Sequence, residues 1–106
     1  MNPSHRPSHI LFIDDDPQIR RIVQLILQED GYELSEASSG VDGIVSAIRQ
    51  RPDLILLDVM MPEMDGYEVC KRLRENPRIA NIPVLMVTAL GETVSKVRGL
   101  EAGADD

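Results

Sequence analysis

The chain has 106 residues, 42% of them hydrophobic, which is enough for one domain around a single core and too few for two. Its formal net charge is -7 and its 11 lysines and arginines are scattered, which argues against nucleic-acid or anionic-membrane binding by this segment. A single cysteine, Cys70, excludes an internal disulfide, and neither a membrane-spanning apolar run nor a signal-peptide core is present, so a cytoplasmic location is expected.

Residues 1–9, "MNPSHRPSH", hold two prolines and both histidines with little apolar content, and are expected to form a flexible tail ahead of a domain over residues 10–106. The run "ILFI" (Ile10 to Ile13) lacks alternation, as do "LILL" (Leu54 to Leu57) and "IPVLMV" (Ile82 to Val87). Such runs suit strands covered on both faces of a parallel sheet. After the first run, Asp16 precedes Pro17 as an N-cap precedes a first helical residue, and Ile19, Ile22, Val23, Ile26 and Leu27 mark a helical stripe that should stop at Gly31. "YELSEA" (Tyr32 to Ala37) alternates and reads as an edge strand. Ser39 with Asp42 has the spacing of a capping box ahead of the stripe Val41, Ile44, Val45 and Ile48. The same spacing recurs in Asp65 and Glu68, before Tyr67, Val69, Cys70 and Leu73. A last stripe comprises Val94, Val97 and Leu100. Strand and helix alternate four times, which predicts a doubly wound α/β sheet.

Three aspartates follow the first strand. With Asp16 read as a cap, Asp14 and Asp15 remain at its carboxyl end, the edge at which open α/β sheets bind ligands. Asp58 ends the third strand likewise, and Pro62 prevents an immediate helix that it could cap. If those strands are neighbours, three carboxylates converge, and at about 5 Å with an effective dielectric near 20 each pair repels by roughly 3 kcal/mol. Protonation, a splayed and solvated arrangement, or a divalent cation would relieve this, and a Mg2+ site is the favoured reading because Mg2+ accepts carboxylates together with phosphate oxygens. The fourth strand runs into Thr88, whose hydroxyl could donate to a phosphate oxygen, and Ala89, small enough to leave room for a phosphoryl group.

The pieces "ILFIDDDPQIRRIV", "DLILLDVMMPEMDGYEVCKRLR", "IPVLMVTA" and "GLEAGADD", in that order, resemble the receiver domain of two-component response regulators. The resemblance implies a flavodoxin-like fold with strand order 2-1-3-4-5. It implies Asp58 as phosphoacceptor, Asp15 as a direct Mg2+ ligand, Asp14 as the second acid, the backbone carbonyl of Met60 as a further ligand and Thr88 as the switch hydroxyl. It implies a phosphohistidine donor on a sensor histidine kinase or phosphotransfer protein, so the domain is a signalling phosphoacceptor rather than an enzyme. The first helix, around Ile19 and Arg20, is where family members dock their kinase. The family continues beyond the "GADD" at which this sequence stops, into a fifth strand with an aromatic switch residue and a lysine. Taken as it stands, the chain is therefore expected to have order 2-1-3-4, weakened phosphorylation, and an exposed strand-four edge inviting a homodimer or a swapped C-terminal segment.

The remaining features have plain readings. Cys70 is a buried inert thiol, Arg20, Arg21, Lys71, Arg72 and Arg74 lie on solvated helix faces, and Pro62 and Gly66 shape a turn. "VMMPEM" is either a methionine-rich binding surface or a rigid loop with two methionines packed inward. The wording "MDGYEVCKRLRENP" is similar to receivers that precede cyclic-di-GMP synthase domains. Two other functions compete. A phosphorylation-independent receiver-like interaction module would not need Asp58. A haloacid-dehalogenase-type phosphatase shares the D-x-D spacing of Asp14 and Asp16, but Pro17 is awkward there and the length leaves no space for its remaining catalytic parts.

Overall fold

The computed structural model describes residues 8–59, 61 and 64–87. In chain order these form β1 (His9–Ile13), α1 (Pro17–Glu29), β2 (Glu33–Ala37), α2 (Gly40–Gln50), β3 (Leu54–Asp58), α3 (Gly66–Glu75) and β4 (Val84–Val87). The four strands make one parallel sheet in the order β2-β1-β3-β4, as expected. The last helical stripe, Val94, Val97 and Leu100, lies outside the described residues.

The strands carry unbroken apolar runs because both faces of the sheet are covered. Leu11, Ile13, Ile55 and Leu57 point to one side, where Ala47 of α2 and Val69 and Leu73 of α3 meet them. Ile10, Phe12, Leu56, Leu85 and Val87 point to the other, packed with Val23 and Leu27 of α1. Burying each such side chain contributes about 1.5–3 kcal/mol, so these two layers dominate the stability. The edge strand β2 does not keep the expected alternation: Glu33 and Glu36, three positions apart and so on opposite faces, both reach solvent, while Ala37 is buried.

Helix boundaries follow the local signals. Asp16 caps α1, its Oδ1 accepting from the Gln18 and Ile19 amides, and Pro17 takes the first helical position. Ser39 accepts from the Asp42 amide and Asp65 from the Glu68 amide, capping α2 and α3. Gly31, at φ 93°, lets the chain leave α1 in a left-handed conformation.

Four other sequence expectations change. Strand β1 starts at His9 rather than after it, because the His9 amide donates to Asp53 Oδ2 (2.7 Å) and its Nε2 shares a hydrogen bond with Ser35 Oγ (2.7 Å). Helix α2 keeps only half of its expected stripe, Ile44 and Ile48 packing against the core. Val41 and Val45 are exposed, Val41 by 57%, while Gly40, Gly43 and Ala47 are buried, since small residues let the helix approach Ile13 and Val69 closely. Ile22 and Tyr67 likewise face outward, Tyr67 by 63%, and Cys70 is only partly buried. Arg20 and Arg74 are not simple solvated side chains. Arg74 Nη1 donates to the Ala80 and Ile82 carbonyls (2.7 and 2.8 Å), holding the turn between α3 and β4.

Candidate functional site

The strand order places a topological switch point between β1 and β3, because the chain leaves β1 toward one edge of the sheet and β3 toward the other. Ile13 pairs with Leu57, so the residues that follow, Asp14 and Asp58, emerge at one level of the carboxyl edge. Asp14, Asp15 and Asp58 each offer a carboxylate oxygen within 4.8 Å of the other two. Asp16 is excluded from the group by its work as the α1 cap. Met60, Thr88 and Ala89 lie outside the described residues.

Each acid is fixed differently. The Asp14 amide donates to the Ala37 carbonyl (3.1 Å), extending the ladder to β2, and its Oδ1 accepts from the Asp16 amide (2.9 Å). Asp15 is exposed at the mouth of the site. Asp58 ends β3 opposite Val87 of β4, and the next amide, of Val59, donates to the Val87 carbonyl (3.2 Å), so the backbone beneath it is paired on that side. The loop after Asp58 returns to α3 through a bond from the Gly66 amide to the Val59 carbonyl (3.1 Å). Gly66 is needed here for closeness rather than for turning: a Cβ would stand 2.8 Å from the Asp58 carbonyl oxygen and 2.9 Å from Val59 Cα. Met61 and Met64 pack against the core cluster, which favours the rigid-loop reading of "VMMPEM" for these two methionines.

The charged form of Asp14 is disfavoured in this setting. Asp14 is 6% exposed. Burial raises its pKa from the ordinary 3.8 to about 6, opposed by the hydrogen bond from Asp16 and reinforced by the negative charges of Asp58, Asp15 and Asp16. Three hard oxygen donors in this spacing, one of them a buried acid reluctant to ionise, fit a hard divalent cation such as Mg2+.

Sequence reasoning missed Arg20. Its Nη1 donates to the Asp14 carbonyl (2.6 Å) and its Nε to Glu36 Oε1 (3.1 Å), so it braces the turn that carries Asp14 and Asp15. One signal was available: a cation a single turn into α1 opposes the helix dipole, whose positive end lies there.

Comparison with known proteins agrees with this geometry. A family model described as the response regulator receiver domain matches residues 10–106. The DNA-binding dual master transcriptional regulator RpaA of Synechocystis is 50% identical over 97 residues, covering 92% of this chain and 40% of that protein. The receiver domain of a signal transduction histidine kinase from Syntrophus aciditrophicus has TM-score 0.73 at 40% identity, covering 93% of this chain and 75% of that one. The N-terminal domain of a response regulator receiver protein from Methanoculleus marisnigri has TM-score 0.74 at 41% identity, covering 76% and 66%. The chain spans about two fifths of the length of the curated relatives it matches. A match along residues 10–106, over a sheet whose switch point carries the acids, means that the chain belongs to the receiver domain family of two-component response regulators.

Proposed function

We propose that Asp58 is the phosphoacceptor of this receiver domain and that Asp14 and Asp15, with Asp58, hold Mg2+ beside it. The observation that supports this most is the convergence of three carboxylates from β1 and β3 at the switch point. When bound, Mg2+ supplies charge neutralisation for the carboxylates and for incoming phosphoryl oxygens. The chain's own contribution is positioning, which is most of what phosphoryl transfer asks of a protein. Strand β3, paired on both sides, holds Asp58 for in-line attack on phosphorus. The Asp58 O–P bond forms as the donor's P–N bond breaks. The electron pair stays on the donor imidazole, which takes a proton from solvent. The donor is a phosphohistidine on a sensor histidine kinase or phosphotransfer protein. Met60 through its carbonyl, Thr88 through its hydroxyl and Ala89 through its small size are proposed to complete the phosphoryl site, with the switch passing through Thr88.

The net charge of -7 supports a segment that does not itself bind nucleic acid, whatever longer relatives do. No helix among the described residues is long and apolar enough to cross a membrane, and a cytoplasmic location is proposed on that and on the single cysteine. The relatives' names favour a gene-regulatory output over the cyclic-di-GMP synthase suggested by the wording of α3.

Incubating the intact protein with acetyl phosphate and Mg2+ should add one phosphoryl-sized mass to the peptide containing Asp58, and Asp58→Asn should abolish it. No adduct, or an adduct on another residue, overturns the proposal. A partner interaction that survives Asp58→Asn unchanged would favour the phosphorylation-independent module instead.

A further inference from the structure

Arg20 starts from α1 but turns back over the β1–α1 turn and is 17% exposed. Its guanidinium reaches two oxygens, the Asp14 carbonyl at 2.6 Å and Glu36 Oε1 at 3.1 Å, and Glu36 sits on β2 opposite Phe12. Two backbone bonds and one to a side chain complete a ring: Arg20 N to Asp16 O (3.1 Å), Asp14 N to Ala37 O (3.1 Å) and Asp16 N to Asp14 Oδ1 (2.9 Å). The Asp14 peptide is therefore held at its amide by β2, at its carbonyl by Arg20 and at its side chain by Asp16. That leaves the turn between Asp14 and Asp16 little freedom, and this turn aims two of the three carboxylates.

Charge and geometry pull in opposite directions here. A permanent cation beside the acids weakens the binding of a second cation, whereas a brace that keeps the acids aimed strengthens it. The contacts are those of a brace: a planar fork spanning a carbonyl just past β1 and a carboxylate on β2, a task for which lysine is poorly shaped.

We infer that Arg20 is a positioning residue for Mg2+ binding, tying the Asp14 carbonyl to Glu36 of the edge strand so that Asp14 and Asp15 stay aimed at Asp58. This rests on the proposed reading of the acidic pocket as a Mg2+ site. The test is calorimetric titration of the intact protein with MgCl2, alongside amide hydrogen exchange at Asp15 and Asp16. Arg20→Gln should bind about tenfold more weakly, the scale of lost outer-sphere support, with faster exchange at both amides. Arg20→Lys, which keeps the charge, should also lose several-fold, as should Glu36→Ala, which removes the acceptor and leaves the guanidinium in place. Unchanged or tighter binding in Arg20→Gln overturns the inference, because bracing then contributes no more than the repulsion of the cation takes away, and full rescue by lysine overturns it because the planar fork is then not needed. If Arg20→Gln does not fold, Glu36→Ala decides: wild-type affinity there overturns it. A wild-type protein that binds no Mg2+ overturns the pocket reading itself, and this inference with it.

Discussion

The two edges of the sheet are built from similar residues and behave oppositely. At the amino edge, Asp53 meets donors: its Oδ2 accepts from the His9 amide, its own amide donates to the His9 carbonyl (2.7 Å), and Ser8 accepts from the Glu33 amide (2.9 Å). At the carboxyl edge, Asp14, Asp15 and Asp58 are set against one another. Both edges use strand ends, where backbone groups leave the ladder and side chains must decide what replaces it. The amino edge satisfies those groups within the protein and so holds the fold. The carboxyl edge keeps an electrostatic deficit at Asp14, whose charged form burial and the neighbouring acids disfavour, and such a deficit is what a cation site requires.

The sharpest way to break this contrast is pH. The folded chain holds the Asp14 proton more tightly than the unfolded chain, so this group's contribution is best below about pH 4, falls as pH rises through about 6, and is flat above. The gap between 3.8 and about 6 corresponds to a cost of about 3 kcal/mol at neutral pH, at 1.36 kcal/mol per pH unit. Urea unfolding of wild type and Asp14→Asn should thus coincide at low pH and diverge to about that amount at pH 7, with the asparagine form more stable. Mg2+ should narrow the gap. Parallel curves would remove the deficit from the carboxyl edge.

Next in size is Gly66→Ala. The new Cβ meets backbone of Asp58 and Val59 rather than a flexible side chain tip, so an overpacking cost of about 2 kcal/mol is expected, together with weaker Mg2+ binding. A variant of wild-type stability would show that the Asp58 backbone yields easily. At the opposite edge, Asp53→Ala should cost about 1 kcal/mol in thermal or urea unfolding yet leave Mg2+ affinity unchanged. A shift in affinity there would mean that the edges are coupled. The smallest effect belongs to Arg51, which ends α2 at φ 47° with its amide on the Ala47 carbonyl. Relieving the left-handed conformation with Arg51→Gly should stabilise the fold by about 0.5 kcal/mol, after offsetting the greater freedom of the unfolded glycine, again without touching Mg2+ binding.

Some of this was legible residue by residue. Asp16 before Pro17, Ser39 before Asp42 and Asp65 before Glu68 were read as caps because capping is settled within one turn of chain. The α2 stripe was read correctly at Ile44 and Ile48 but not at Val41 and Val45, because hydrophobicity favoured those valines whereas packing against Ile13 and Val69 selected Gly40, Gly43 and Ala47 for their size. Gly66 looked like a turn residue, since a glycine required by the closeness of another segment leaves no local mark. Arg20 looked solvated for the same reason: its partners, the Asp14 carbonyl and Glu36, are set by how α1 lies across β1 and β2.

By itself the sequence determined the alternation of strand and helix, the coverage of both sheet faces and the acids at two strand ends. These follow from short-range rules of burial and backbone hydrogen bonding, and the family resemblance rests on the same local wording. The resemblance already implied that β1 and β3 lie side by side, but only the tertiary structure decided the distances among Asp14, Asp15 and Asp58, the rise in the Asp14 pKa and the bracing role of Arg20. Coulomb energies and hydrogen bonds depend on separations through space, and the 43 residues of chain between Asp14 and Asp58 leave that separation open until the sheet closes it.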